Sequence, residues 1–265
     1  MGSMFAHDFV LRAFAASGIV AVVAGTVGYF LVLRGQTFAG HALSHIGFTG
    51  ATGAALIAVS PLTGLIAFVV AAGIAIGLLG ERLSGRDVVI GIIFSVSFGF
   101  GLLFLSLTTG HATAATTLLF GNVLAVTPSM LGTLALLGVV TLAALAVISR
   151  PLIFSTLQPE LAEAKGVSIR LIGTLFLALV ALATAQSIQI VGVLLVFTLM
   201  VGPPAAAQLL TKRLGGGIAL SAGLALAQAW LGIVVAFYTN WPTSFWITTL
   251  SALVYLGAAL AAQRR

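Results

Sequence analysis

Cysteine is absent from this chain of 265 residues, and charge is scarce: only 6% of residues are Asp, Glu, Lys or Arg. The first absence excludes disulfides, thiolate metal ligands and cysteine nucleophiles. The second excludes a soluble globular domain, in which roughly a quarter of residues are charged. No G-x-x-x-x-G-K-[ST] occurs, so the chain holds no ATP through a P-loop. Instead, 60% of residues are hydrophobic, which marks an integral membrane protein. The net charge of +6 is not read as affinity for nucleic acid. In a polytopic membrane protein, basic residues gather in cytoplasmic loops because positive charge resists translocation.

A hydrocarbon core of about 30 Å takes about 20 helical residues to cross. Nine apolar runs are candidates: 10–33, 40–59, 61–79, 88–107, 126–148, 171–185, 188–210, 218–238 and 244–262. The expectation is an all-α polytopic membrane protein of eight to nine transmembrane helices. Residues 1–9 form an N-terminal extension and 10–262 a single transmembrane domain. The first run is long enough to span and no polar break follows it, which fits an anchor better than a cleaved leader. The sixth run is short for a crossing and reads as tilted or partly re-entrant. Residues 116–126, with Phe120-Gly121-Asn122, are too few to span and read as interfacial or re-entrant. If the polar stretch 150–170 is cytoplasmic and sides alternate from there, all 11 Lys and Arg except Arg12 fall inside. That bias places the N-terminus outside and the C-terminus in the cytoplasm.

Four features carry chemistry. The run Gly40-His41-Ala42-Leu43-Ser44-His45 puts two imidazoles on one helix face. A lone intramembrane histidine is ordinarily a hydrogen-bonded packing residue. Two at this spacing, with Ser44 between them and Gly40, Gly47 and Gly50 allowing close helix approach, favour a metal pathway. Imidazole nitrogen suits Zn²⁺ and the later first-row divalent metals. Two ligands do not complete a site, so other helices must contribute. The alternative of a zinc protease is disfavoured, because Ala42 stands where H-E-x-x-H needs its general base.

The second feature is Gln158-Pro159-Glu160-Leu161-Ala162-Glu163-Ala164-Lys165-Gly166. Pro159 fits a first helical turn, Glu160 and Glu163 complement the helix N-terminus, and Gly166 fits a stop. This is a short charged helix between two spans, an ordinary loop helix or a docking element. Third, Pro203-Pro204 inside the seventh run removes two backbone donors. It reads as a kink, or as a discontinuous helix that bares carbonyls to a pathway. Fourth, Asn240-Trp241-Pro242-Thr243-Ser244 reads as a turn and helix cap, with Trp241 and Trp246 as interfacial anchors. Asp87 reads as the cap of the fourth span.

The order and spacing of these features resemble the membrane permeases of bacterial ATP-binding-cassette transporters for zinc, manganese or iron, the type-3 metal permease family. The residues Gly40 to His45 resemble its G-D-x-L-S-H, with His41 where the family usually has Asp. Asp87 to Gly91, Leu118-Leu119-Phe120-Gly121-Asn122, the Glu160–Gly166 stretch and Pro204-Ala205-Ala206 resemble further family motifs. Asn240 and Pro242 stand where the family often shows Asp-x-Pro. The likeness runs from about Gly28 to Ala259.

The resemblance implies a homodimeric permease in the bacterial inner membrane, with no permanently bound cofactor. It implies a cytoplasmic ATPase subunit that hydrolyses ATP and an extracytoplasmic metal-binding protein. His45 inherits a metal-ligand role directly and His41 by position. Ser44, Pro204 and Asn240 become candidate pathway residues. Glu160, Ala162, Glu163 and Gly166, in a cytoplasmic coupling segment of 149–170, become the ATPase contact. A histidine in place of the carboxylate removes a hard anionic ligand and leans the metal toward zinc, with manganese or iron as alternatives. The competing functions are a permease for a metal chelate or another small solute, and, further off, an intramembrane enzyme.

Overall fold

In the computed structural model, residues 8–79, 86–108, 121 and 123–263 are described. All regular structure among them is helical. The elements are α1 (Asp8–Leu33), α2 (Thr37–Leu56), α3 (Pro61–Leu79), α4 (Arg86–Leu107) and a 3₁₀ turn (Val123–Ala125). They continue with α5 (Pro128–Leu157), α6 (Pro159–Ala164), α7 (Ile169–Val191), α8 (Val193–Leu210), α9 (Leu214–Thr239) and α10 (Thr243–Gln263). Seven of these helices are long and apolar enough to cross a membrane. With α2 and α8 they make nine long helices, one for each apolar run. The 20 residues of α2 reach about 30 Å at 1.5 Å each, a full crossing, but its histidines, serine and threonines dilute the hydropathy.

Local chemistry sets the ends. Thr127 caps α5 by accepting from the Met130 N–H, with Pro128 as first helical residue. Ser168 caps α7 through the Leu171 N–H in the same way. Asn240 ends α9 in the left-handed conformation, φ 56°. Asp87 lies within the first turn of α4, which begins at Arg86, rather than capping it.

Two expectations about the middle of the chain are corrected. The sixth run is no short re-entrant piece, because α7 is a full helix of 23 residues. Gln186, Ser187 and Gln189 interrupt its hydropathy but not its backbone. The helix break falls at Gly192, φ 78°, which separates α7 from α8, and not at the double proline. α8 runs on through Pro203 and Pro204. A proline leaves the carbonyl four residues back without its donor, here Leu199 and Met200. The Met200 carbonyl lies against Gly28 of α1, so close that no Cβ fits there. Of the 116–126 segment only Gly121 and the residues from Val123 onward are described. Gly121, φ 71°, packs against the backbone of Ile190 to Gly192, so the chain before the 3₁₀ turn abuts the break. Leu118 to Phe120 and Asn122 lie outside the described residues.

Helices α1, α2 and α7 are largely enclosed, each with more than half of its residues buried. α2 packs against α3, α4, α7 and α8, which brings its polar face inside the bundle.

Candidate metal pathway

His41 and His45 do share a face of α2. Their rings meet edge to face, with centroids 4.7 Å apart. Both side chains are half-buried. Phe94 and Phe98 of α4, themselves one turn apart, line one side: His45 is 5.5 Å from Phe94 and 5.8 Å from Phe98, centroid to centroid. Phe197 of α8 stands 5.0 Å from His41. The pair therefore sits between α2, α4 and α8. Although His41 is near the start of α2, Phe94 and Phe98 are near the middle of the 22-residue α4, which puts the imidazoles well inside the bundle.

The Nδ1 of His45 is enclosed and has no hydrogen-bond partner. A buried polar atom left without one costs roughly 1–3 kcal/mol, so this nitrogen stands open to an additional ligand. The aromatic walls offer no competing oxygen or nitrogen. They give the imidazoles only edge-to-face and tilted ring contacts, of the kind that orient rings. Among the described residues no cluster of three or more His, Cys, Asp or Glu could hold a metal. The pair therefore presents two imidazoles and no carboxylate at this place among the described residues.

Glycines let the helices close around the pair. Gly50 of α2 and Gly64 of α3 face each other, and Gly47 admits the side chains of Ile188 and Val69. Gly101 of α4 lies against Thr49, whose hydroxyl donates to the Ser97 carbonyl at 2.6 Å. α4 is thereby clamped to α2 just beyond the two phenyl rings.

The other candidate pathway residues are placed apart. Ser44 is fully buried and donates back to the Gly40 carbonyl at 2.9 Å, so its hydroxyl is used within α2. Pro204 is buried two turns beyond Phe197, on the same face of α8 by register. Asn240 is exposed and lines a cavity of about 380 Å³ with Val10, Val123 and Phe237, at the end where α1 begins. The structure does not bring it to the histidines. Beside it Trp241 stacks on Trp246 with centroids 5.7 Å apart. Sequence reasoning missed Phe94, Phe98 and Phe197. The four-residue spacing of the first two, matching that of the histidines, was the signal available.

The short helix α6 lies at the end of the bundle where α1, α5 and α8 finish. Ala162 is fully buried, while Glu160, Leu161 and Glu163 are exposed. The helix closes through bonds from Val167 N–H to the Ala162 carbonyl and from Gly166 N–H to the Glu163 carbonyl, both at 2.9 Å. Gly166 is in the left-handed region, φ 79°, as a C-terminal stop requires.

The profile of the ABC 3 transport family matches residues 6–262. The chain belongs to that family. It is therefore a membrane permease of the ATP-binding-cassette class, as the order of its motifs implied. The permease is 28% identical, over 98% of its length and 92% of the relative's, to a manganese transport system membrane protein of Listeria innocua. It is 29% identical, over 96% of its length and 86% of the relative's, to a chelated iron transport system membrane protein of Yersinia pestis. Among solved structures it is similar to PsaBC from Streptococcus pneumoniae in complex with Fab, with TM-score 0.85 and 26% identity. That likeness covers 95% of this chain and 91% of the other.

Proposed function

We propose that this permease is the membrane subunit of an ATP-driven importer of divalent transition-metal ions, and that His41 and His45 are its ligands for the passing ion. The observation that carries the reading is the imidazole pair itself: two rings in contact inside the bundle, one with an unpartnered enclosed nitrogen. A neutral imidazole offers a lone pair to a borderline cation. Two per chain hold an ion loosely enough to release it, and a homodimer would supply four, enough for a tetrahedral nitrogen site. The names of the relatives point to manganese and to chelated iron. Our preference among metals is zinc, because an all-imidazole set lacks the carboxylate oxygens that manganese favours.

In this reading α6, with Glu160, Ala162, Glu163 and Gly166, docks on a cytoplasmic ATPase that supplies the hydrolysis. An extracytoplasmic metal-binding protein delivers the ion at the opposite end. The N-terminus lies outside the bacterial inner membrane and the C-terminus in the cytoplasm, as the basic residues indicate. A metal chelate is the second reading, favoured by the Yersinia pestis relative and by the phenyl walls around the pair, and it does not need the imidazole nitrogens.

Uptake of zinc and manganese by cells carrying the assembled transporter separates these readings. His45→Ala should abolish uptake of the bare ion, and His41→Asp should retain uptake with selectivity moved toward manganese. Undiminished zinc uptake by His45→Ala would return both histidines to a packing role.

A further inference from the structure

Helix α1 is largely enclosed, but one stripe of it is open. α5 and α9 pack on either side of α1 and leave between them a groove of about 550 Å³ lined by Phe14, Ala15, Gly18, Gly138, Leu226 and Trp230. Its floor is low because Gly18 and Gly138 carry no side chains. A Cβ at Gly138 would come within 3.3 Å of both Ile19 and Val23. Trp230 is fixed at the rim by donating its indole N–H to the Phe14 carbonyl at 3.1 Å. The lining is almost wholly apolar, and an apolar cavity does not hold water.

The groove follows α1 from Phe14 to Val23, about 13 Å at 1.5 Å per residue. That is close to one leaflet, about half of the roughly 30 Å hydrocarbon core. Arg12 lies on the same stripe of α1, three residues before Ala15 and seven before Ile19. It is half-buried, and its enclosed Nε has no hydrogen-bond partner. With 26 residues α1 is about 39 Å long, longer than the hydrocarbon core, so its first turns reach the headgroup level. Asp8, one turn further out, is exposed. The other described carboxylates, Asp87, Glu160 and Glu163, stand at the opposite end of the bundle. Among the described carboxylates, a second copy of the chain laid in the groove would have only its Asp8 at the level of Arg12.

We propose that this groove is a phospholipid site: one acyl chain fills it, and the lipid phosphate is held by the Arg12 guanidinium. The planar fork of arginine suits a phosphate, and the groove gives the acyl chain a path one leaflet deep directly beneath it.

Native mass spectrometry of the full-length chain tests this with two probes, phosphatidylglycerol and a diacylglycerol of the same acyl chains. Wild type should retain one phosphatidylglycerol per chain. Arg12→Gln should weaken that retention about tenfold or more, the worth of a charge-assisted hydrogen bond. Ala15→Leu, a change at an exposed position that fills the groove, should abolish it. Diacylglycerol should bind wild type no better than phosphatidylglycerol binds Arg12→Gln. Thermal unfolding of both variants should match wild type, which excludes misfolding as the cause. Equal retention by wild type and Arg12→Gln would overturn the proposal. So would efficient crosslinking between chains through Ala15→Cys in the membrane, a clean probe because the chain has no other cysteine.

Discussion

Gly28 is the residue at which helix propensity and packing oppose each other. Glycine in a helix interior costs about 1 kcal/mol relative to alanine, so Gly28→Ala in α1 should stabilise by local rules. The Met200 carbonyl, stripped of its helical donor by Pro204, occupies the space a Cβ would need. The obstructing atoms are backbone and cannot rotate away, and overpacking of this kind costs about 1–3 kcal/mol. Packing wins. Gly28→Ala should lower the unfolding temperature in detergent, whereas Gly99→Ala on α4, with nothing within 4 Å of the added carbon, should hold or raise it. Equal responses of the two variants would remove the Gly28–Met200 contact from the account.

At the scale of elements, α6 is the instructive case, because six residues do not form a stable helix alone. Burial of Ala162 beneath it and the bonds that close it into Val167 hold it in place. Gly166 has open space around it, so a larger side chain meets no clash. The cost is conformational, about 1–2 kcal/mol for an L-residue at positive φ. Gly166→Leu should therefore leave the membrane helices intact while displacing the outward face of Glu160, Leu161 and Glu163. The expected result is reduced metal-stimulated ATPase activity of the assembled transporter. Full stimulated activity in an assembled Gly166→Leu complex would end the coupling assignment for α6.

At the scale of the whole molecule, a contact at Arg34 joins the turn before the histidine-bearing helix α2 to the end of α5, where α6 begins. Arg34, in the turn between α1 and α2, donates to the Thr156 hydroxyl at 2.8 Å and to the Ser155 hydroxyl at 3.4 Å, in the last turn of α5. It also lies 5.8 Å from the Phe176 ring of α7. α2 carries the histidines and α5 leads directly into α6, so this cluster joins the two sites by a short path. A hydrogen bond to a charged group is worth about 1.5–3 kcal/mol. Arg34→Gln and Thr156→Val should each lower metal stimulation of the ATPase while basal hydrolysis persists, and the double variant should be no worse than either alone. Strict additivity of the two would show that the contact transmits nothing.

Much of this architecture was legible along the chain. Nine apolar runs became nine long helices, because hydropathy over about 20 residues and the caps at Thr127 and Ser168 act locally. The histidine pair was legible for the same reason: a four-residue spacing places both rings on one face whatever surrounds the helix. Less local features were not. Of the two readings of the double proline, a kink or a discontinuous helix, the second fails, since α8 is continuous and the freed Met200 carbonyl packs against Gly28 on another helix. The true break, at Gly192, is where the backbone of Gly121 packs against α7 and α8. Phe94, Phe98 and Phe197 drew no notice in the sequence, and they line the imidazoles only because α4 and α8 pack against α2. Ser44 donates back within α2, and Asn240, whose turn and cap were legible, lies away from the histidines. The sequence alone determined which segments are helical and which residues share a helix face, since both depend on neighbours within a turn. Only the tertiary structure decided which polar atoms are satisfied and what surrounds the imidazoles, because those partners come from helices far away in the chain.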